Sequence, residues 1–183
     1  MPLLGRQELL EALAELNEEL EIHNVRGEVF IVGGAAMAIA YDTRRATSDV
    51  DAIFVPSNEI RLAASRVADR LNLEPDWLND GAKAFMPGED ENRIGVYEGN
   101  HLSVAAASPE YLLAMKLMAS RVERDLDDIR ALYKLCGLST AEEGLNLLTT
   151  FYPEHQILPR VQFLLQEIFP DDRDLGHDTG VSR

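Results

Sequence analysis

Two carboxylates one residue apart, Asp49 and Asp51, follow a glycine pair, Gly33 and Gly34, by about one helix length. Carboxylate oxygens suit Mg²⁺, a hard cation that is usually held by one or two carboxylates together with phosphate oxygens. Glycines lack a Cβ and let the backbone approach a ligand closely. The segment therefore combines residues suited to a phosphate-binding turn with residues suited to a divalent-metal site.

Strand and helix geometry would bring these groups to one place. Side chains alternate between the faces of a strand, so Asp49 and Asp51 are expected on one side and Val50, Ala52 and Phe54 on the other. The helix expected over residues 35–41 would offer unpaired N–H groups and a positive dipole end to an anion. The hydroxyl of Ser48 would add a further donor.

Each feature taken alone has a plainer explanation. An Asp-x-Asp tripeptide also fits the solvated side of an edge strand, and a Gly-Gly pair fits a tight connection between strand and helix. The joint arrangement favours a binding site, because a strand as apolar as residues 29–32 is expected at the centre of a sheet. The aspartates on the neighbouring strand would then lie near a sheet end.

A lone cation, Lys116, lies in the apolar stretch 112–119 of a helix that Ser108 and Pro109 are expected to start, as N-cap and first helical residue. Burying an unpaired ammonium costs several kcal/mol, so Lys116 must reach the surface, pair with a carboxylate, or meet a ligand anion. A phosphate or Asp128 would serve. Asp125 and Asp128 lie on the flank of the apolar stripe of the next helix, although Asp125 could equally complement the helix dipole.

The elements that must position these residues follow from hydrophobic periodicity. The pattern predicts an α+β fold, with a small mixed, twisted sheet and helices against one side. We expect an α/β core over residues 1–107, a helical C-terminal part over 108–170 that closes a cleft, and a disordered tail over 171–183. Predicted strands include 29–32, 93–97 and 102–105; predicted helices are 7–22, 35–41, 58–71, 109–119, 123–136, 139–150 and 154–169.

Composition limits the classes of partner. The formal net charge of −15 disfavours broad attraction to nucleic acid, whose binding relies on phosphate neutralisation. No run of about 20 apolar residues and no signal peptide occur, so we expect a cytoplasmic protein without a membrane partner. The single Cys136 excludes an internal disulfide and is expected in the core. A nucleic-acid site would need a local basic patch, for which the candidates are Arg44, Arg45, Lys83, Arg93, Lys116 and Arg121.

Three stretches carry a resemblance to a known group. Gly33-Gly34, Arg44-Arg45, Thr47 and Asp49-x-Asp51 resemble motif one of the DNA polymerase β-like nucleotidyltransferase superfamily, in the form seen in AbiEii-type abortive-infection and toxin–antitoxin proteins. Lys116 followed by Asp125-x-x-Asp128 resembles the second signature of those proteins. Residues 77–83 look like a bacterial branch of the same group.

The resemblance implies transfer of a nucleoside monophosphate from a nucleoside triphosphate to a hydroxyl, with Mg²⁺ or Mn²⁺ as cofactor. Asp49, Asp51 and Asp125 would be metal ligands, Lys116 would hold the triphosphate, and Asp128 would be a further ligand or base. The nucleotide would be bound by Gly33, Gly34, Ser48, Arg44, Arg45 and Lys116.

The acceptor and the activity stay open on the sequence. The resemblance allows the 3′ end of a tRNA and a cognate antitoxin, whereas the acidic composition favours a protein or small-molecule acceptor. The third acidic ligand of such enzymes is missing from the strand at 102–105, which leaves Glu98, Asp80 or Asp128 as candidates. The alternatives are a catalytically inactive regulator of the same fold that binds nucleotide or protein, and a structural interaction domain without a ligand.

Overall fold

A computed structural model describes residues 3–41, 46–119 and 122–170 of the chain. These residues form seven α-helices and a five-stranded mixed sheet, which confirms the α+β prediction. The chain divides into two compact units, Met1–Ser108 and Pro109–Arg183, and the sheet lies in the first. Across the described ranges, no helix is both long and apolar enough to cross a bilayer.

The sheet contains five strands: β1 (Gly27–Ile31), β2 (Val50–Val55), β3 (Leu78–Asn79), β4 (Ile94–Glu98) and β5 (Leu102–Ala106). Their order across the sheet is β3-β2-β1-β5-β4. Strand β1 is central, as its apolar sequence predicted; it pairs antiparallel with β2 and parallel with β5. Strand β3 pairs parallel with β2, and β4 forms the other edge antiparallel to β5.

One face of this sheet is buried and the other is open. Val29, Ile31 and Phe54 lie on the buried face, whereas Glu28 and Ser103 on the opposite face are exposed. This alternation is typical of a sheet covered by helices on one side only. The first unit supplies three helices: α1 (Arg6–Ile22), α2 (Gly33–Ala40) and α3 (Ser57–Leu71).

A buried carboxylate, Glu19, joins α1 to α3. Its side chain is 5% exposed and accepts hydrogen bonds from Arg66 at 2.9 Å and from Arg70 at 2.7 Å. Burial by itself would raise the pKa of Glu19, but the hydrogen bonds from Arg70 and Arg66 outweigh it and lower the pKa. The pair of helices is therefore held by a neutralised charge as well as by apolar packing.

The second unit is helical. Its helices are α4 (Pro109–Ala119), α5 (Val122–Cys136), α6 (Ala141–Phe151) and α7 (Pro159–Ile168). Ile129 and Tyr133 are buried along the predicted inward stripe of α5. Cys136, predicted in the core, is only half-buried, and its partial burial raises the pKa of the thiol to about 12. Thr140 and Glu143 form the predicted capping box at the start of α6.

The prediction of one continuous helix over residues 154–169 is wrong. Glu154–Gln156 forms a short 3-10 turn, and α7 begins only at Pro159. Leu158 is extended, with a ψ of 143°, because the ring of the following proline disfavours helical backbone at the preceding residue. Proline is well suited to the first helical position. The tail predicted over 171–183 lies outside the described residues.

Candidate active site

The glycine pair forms the turn between β1 and α2. Gly33 has a φ of +64°, a left-handed conformation that glycine adopts without steric cost. A Cβ on Gly33 would lie 3.5 Å from Oδ2 of Asp51, so the glycine also leaves that carboxylate oxygen uncovered. The helix begins at Gly33 itself, two residues earlier than predicted. The N–H groups of its first turn, which have no partner within the helix, therefore lie at the same connection between β1 and α2.

Asp51 lies in β2 beside this turn. The N–H of Val32 donates to the backbone carbonyl of Asp51 at 2.9 Å, which ties the aspartate to the residue before Gly33. Val50, Ala52 and Phe54 are buried on the other face, as predicted. Burial raises the pKa of Asp51, and the negative charge of Asp49 raises it further. A bound cation would relieve both effects.

Asp49 precedes β2 by one residue rather than lying within the strand. Its backbone carbonyl accepts a hydrogen bond from Thr47 Oγ1 at 2.9 Å. Its side-chain Oδ1 accepts a hydrogen bond from Ser48 Oγ at 3.1 Å, so Ser48 contacts the carboxylate directly. Neighbouring residues in the same loop therefore position Asp49, whereas strand pairing in the sheet positions Asp51.

Asn79 is a site residue to which the sequence analysis assigned no role. It pairs with Asp51 between β3 and β2, and its Nδ2 donates to Oδ2 of Asp49 at 3.4 Å. The N–H of Gly81 donates to Oδ1 of Asn79 at 2.9 Å. A Cβ on Gly81 would lie 3.9 Å from Oδ1 of Asp51, so a second glycine turn borders the aspartates. A strand of two residues shows no periodicity, and the resemblance of residues 77–83 is the signal that pointed there.

Two of the three candidates for a third carboxylate lie outside this group. In the sheet register Glu98 pairs with Ser103, and Ser103 pairs with Glu28. Glu28 in turn pairs with Val55, which lies four residues along β2 from Asp51. Four residues span about 13 Å along the strand, so Glu98 lies at least that far from Asp51. Asp80 is bound to Arg61, with Arg61 Nη2 and Asp80 Oδ2 2.5 Å apart.

The site offers two carboxylates, Asp49 and Asp51, to a divalent cation. In the part of the chain that the structure describes, no group of three or more His, Cys, Asp or Glu side chains is placed to hold a metal ion. Mg²⁺ often binds through one or two carboxylates and completes its shell with water and substrate phosphate oxygens. Asp49 and Asp51, bordered by Gly33 and Gly81, match that pattern.

The third candidate, Asp128, belongs to an ion triad in the second unit. Lys116 Nζ lies 2.7 Å from Asp128 Oδ2 and 2.9 Å from Asp125 Oδ1. The side chains of Lys116, Asp125 and Asp128 are 16%, 19% and 5% exposed. Lys116 was expected to reach the surface, to pair with a carboxylate or to meet a ligand anion, and the structure shows pairing with carboxylates. The structure also brings together all three residues of the predicted second signature.

The predicted basic patch is described only in part. Arg44, Arg45 and Arg121 lie outside the described residues. Lys83 is exposed in the 3-10 helix Gly81–Phe85, which follows Asn79, and Arg93 is exposed just before β4. The patch stays a prediction.

Comparison with known protein families gives a match over most of the chain. Residues 7–152, which are 146 of the 183 residues, match a family model described as "Nucleotidyltransferase of unknown function (DUF6036)". No curated protein and no solved structure matches the chain. The match supports the nucleotidyltransferase part of the resemblance, and the AbiEii-type branch stays a prediction.

Proposed function

The chain belongs to the family of nucleotidyltransferases of unknown function, and from this premise we propose that it transfers a nucleoside monophosphate from a nucleoside triphosphate to a hydroxyl acceptor. The acceptor oxygen forms a bond to the α-phosphorus, the bond from the α-phosphorus to the bridging oxygen breaks, and pyrophosphate leaves. The acceptor hydroxyl gives up its proton to a carboxylate base, for which Asp125 and Asp128 are the candidates. The cofactor in this proposal is Mg²⁺ or Mn²⁺.

The observation that carries the proposal is the pair Asp49 and Asp51, which meets two glycine turns at one end of the sheet. A bound Mg²⁺ supplies charge neutralisation for the phosphate oxygens. The chain supplies the two carboxylates that hold it, the Ser48 hydroxyl, and the amides at the start of α2, which favour an anion. Catalysis would then consist mainly of positioning and electrostatic stabilisation.

The same proposal gives roles to the ion triad of Lys116, Asp125 and Asp128. Lys116 would contact triphosphate, and Asp125 and Asp128 would act as a further metal ligand or as the base. The ion pairs of Lys116 compete with these roles, since its ammonium is already engaged by both carboxylates. Exchange of one carboxylate for phosphate is therefore part of what must be tested.

The net charge bears on the class of acceptor. A net charge of −15 supports a protein or small-molecule acceptor over the 3′ end of a tRNA, because tRNA binding needs phosphate neutralisation. A toxin role with a cognate antitoxin is the alternative within the same reaction. A pseudoenzyme that binds nucleotide without turnover is the second candidate function, favoured by the pair rather than trio of carboxylates in the described residues.

Thermal unfolding with and without Mg²⁺ and each nucleoside triphosphate tests the proposal. A ligand at about 100 times its dissociation constant stabilises by about 2.7 kcal/mol. We expect this stabilisation in the wild type and in the control Asp69→Asn, an exposed carboxylate on α3, but not in Asp49→Asn/Asp51→Asn. Equal shifts in all three proteins would refute the metal assignment.

Turnover separates the enzyme from the pseudoenzyme. Each α-labelled nucleoside triphosphate would be incubated with the protein, Mg²⁺ and either cellular RNA or cellular protein. Label that becomes acid-precipitable in the protein or the RNA fraction identifies the acceptor class. Nucleotide binding without incorporated label and without pyrophosphate release would favour the pseudoenzyme.

A further inference from the structure

We propose that Asn79 is a positioning residue of the aspartate site, whose side-chain amide holds the Asp49 carboxylate in the orientation that binds the cation. The inference rests on the proposed function, since it concerns the same site. It starts from the juxtaposition of three residues, because Asn79 is the register partner of Asp51 and a hydrogen-bond donor to Asp49.

The orientation of the amide is determined by its second hydrogen bond. Gly81 N–H donates to Oδ1 of Asn79 at 2.9 Å, so the NH₂ end of the amide faces Oδ2 of Asp49 at 3.4 Å. A flipped amide would direct its NH₂ group at the Gly81 N–H, and two donors would face each other. Asn79 therefore presents a donor to the aspartates rather than an oxygen ligand.

The hydrogen bond from Asn79 distinguishes the carboxylate of Asp49 from that of Asp51. Both side-chain oxygens of Asp49 accept a hydrogen bond, Oδ1 from Ser48 at 3.1 Å and Oδ2 from Asn79. Asp49 is thus held in place before any cation binds. The neutral amide also occupies the position beside Asp51 where a carboxylate would add a third negative charge to the site.

Partners of this kind change metal affinity without touching the metal. Removing a group that orients a ligating side chain typically weakens metal binding or activity by about 10–100-fold. Asn79 has two tasks that can be separated, since it accepts from Gly81 and donates to Asp49. Asn79→Ala loses both tasks, whereas Asn79→Asp keeps the acceptor for Gly81 and replaces the donor by a charge that repels Asp49.

The experiment is calorimetric titration of Mn²⁺ into wild type, Asn79→Ala, Asn79→Asp and Asp49→Asn/Asp51→Asn, together with the melting temperature of each metal-free protein at pH 7. Asn92→Ala, an exposed asparagine in the loop before β4, is the matched control. We expect Asn79→Ala to bind Mn²⁺ at least tenfold more weakly than wild type and than the control. Asn79→Asp should melt below wild type without metal and should gain more from Mn²⁺ than wild type gains.

The outcomes separate the two levels of the proposal. Wild-type affinity in Asn79→Ala, or a metal-free Asn79→Asp that melts like wild type, overturns the role of Asn79 and leaves the proposed function intact. A wild type that binds Mn²⁺ no better than Asp49→Asn/Asp51→Asn overturns the proposed function, and the role of Asn79 with it. Weaker binding in Asn79→Ala and in Asp49→Asn/Asp51→Asn, with wild-type affinity in Asn92→Ala, supports both.

Discussion

Replacing Lys116 by alanine tests what the lone cation of α4 does. In the structure its ammonium lies 2.7 Å from Asp128 and 2.9 Å from Asp125. Alanine is a good helix former, so the helix itself tolerates the change. The loss of the ammonium removes a positive charge 2.7 Å from the carboxylate of Asp128, which is only 5% exposed.

The expected magnitude follows from the burial of the two contacts. Breaking a buried ion pair costs about 3–5 kcal/mol, whereas an exposed pair is worth about 0–1 kcal/mol. Asp128 belongs to the first class, while Asp125 and Lys116 retain some solvent contact at 19% and 16% exposure. We therefore expect Lys116→Ala to lose about 3 kcal/mol, with most of the loss arising at Asp128.

The assay is urea unfolding of Lys116→Ala, Asp128→Asn and the double variant, with nucleotide affinity measured on the same proteins. Asp128→Asn should restore part of the stability lost in Lys116→Ala, because the two residues interact directly. Asp125→Asn is the matched control and should cost less than about 1 kcal/mol. An unchanged slope of unfolding free energy against urea would show that stability, not compactness, has changed.

Two results would refute separate parts of this reasoning. A loss below about 1 kcal/mol in Lys116→Ala would contradict the importance of the ion pair to Asp128. A large loss, restored in the double variant and accompanied by unchanged nucleotide affinity, would instead contradict the proposed contact with triphosphate. If Lys116 does contact triphosphate, affinity should fall at least tenfold, which is about 1.4 kcal/mol.

Two further predictions concern the glycine turn and the helix pair α1 and α3. Gly33→Ala should cost about 1–2 kcal/mol because its φ is +64°, and its methyl group, 3.5 Å from Asp51 Oδ2, should weaken Mn²⁺ binding by covering that oxygen. Gly95→Ala is the control in unfolding and metal titrations, because Gly95 has no positive φ and its added Cβ would meet nothing within 4 Å; equal effects would contradict the role of the turn. Glu19→Gln should cost about 1.5 kcal/mol at pH 7, since two charge-assisted hydrogen bonds to half-exposed arginines are weakened. The lowered pKa of Glu19 means that its stabilisation is present above its ordinary value of 4.5 and is lost as the pH falls below it. Urea unfolding from pH 7 to pH 3 should therefore show the difference between wild type and Glu19→Gln shrinking with acid, and a constant difference would contradict it.

The sequence by itself determined the features that depend on neighbouring residues. The periodicity of apolar residues located α1, α3 and α5 to within a few positions, since one buried face recurs every turn. The apolar run at 29–32 identified the central strand. The capping box of Thr140 and Glu143 predicted the start of α6, because such a box is completed within four residues.

The tertiary structure decided which distant side chains meet. Asn79 contacts Asp49 across 30 positions, and Glu19 contacts Arg66 across 47, distances over which composition and periodicity carry no information. The register of β4 and β5 placed Glu98 at the far end of the sheet, although its type and spacing had made it a candidate ligand. Local sequence specifies the backbone conformation of each element, whereas strand order and register select the residues that share a site, because those depend on packing between elements far apart in the chain.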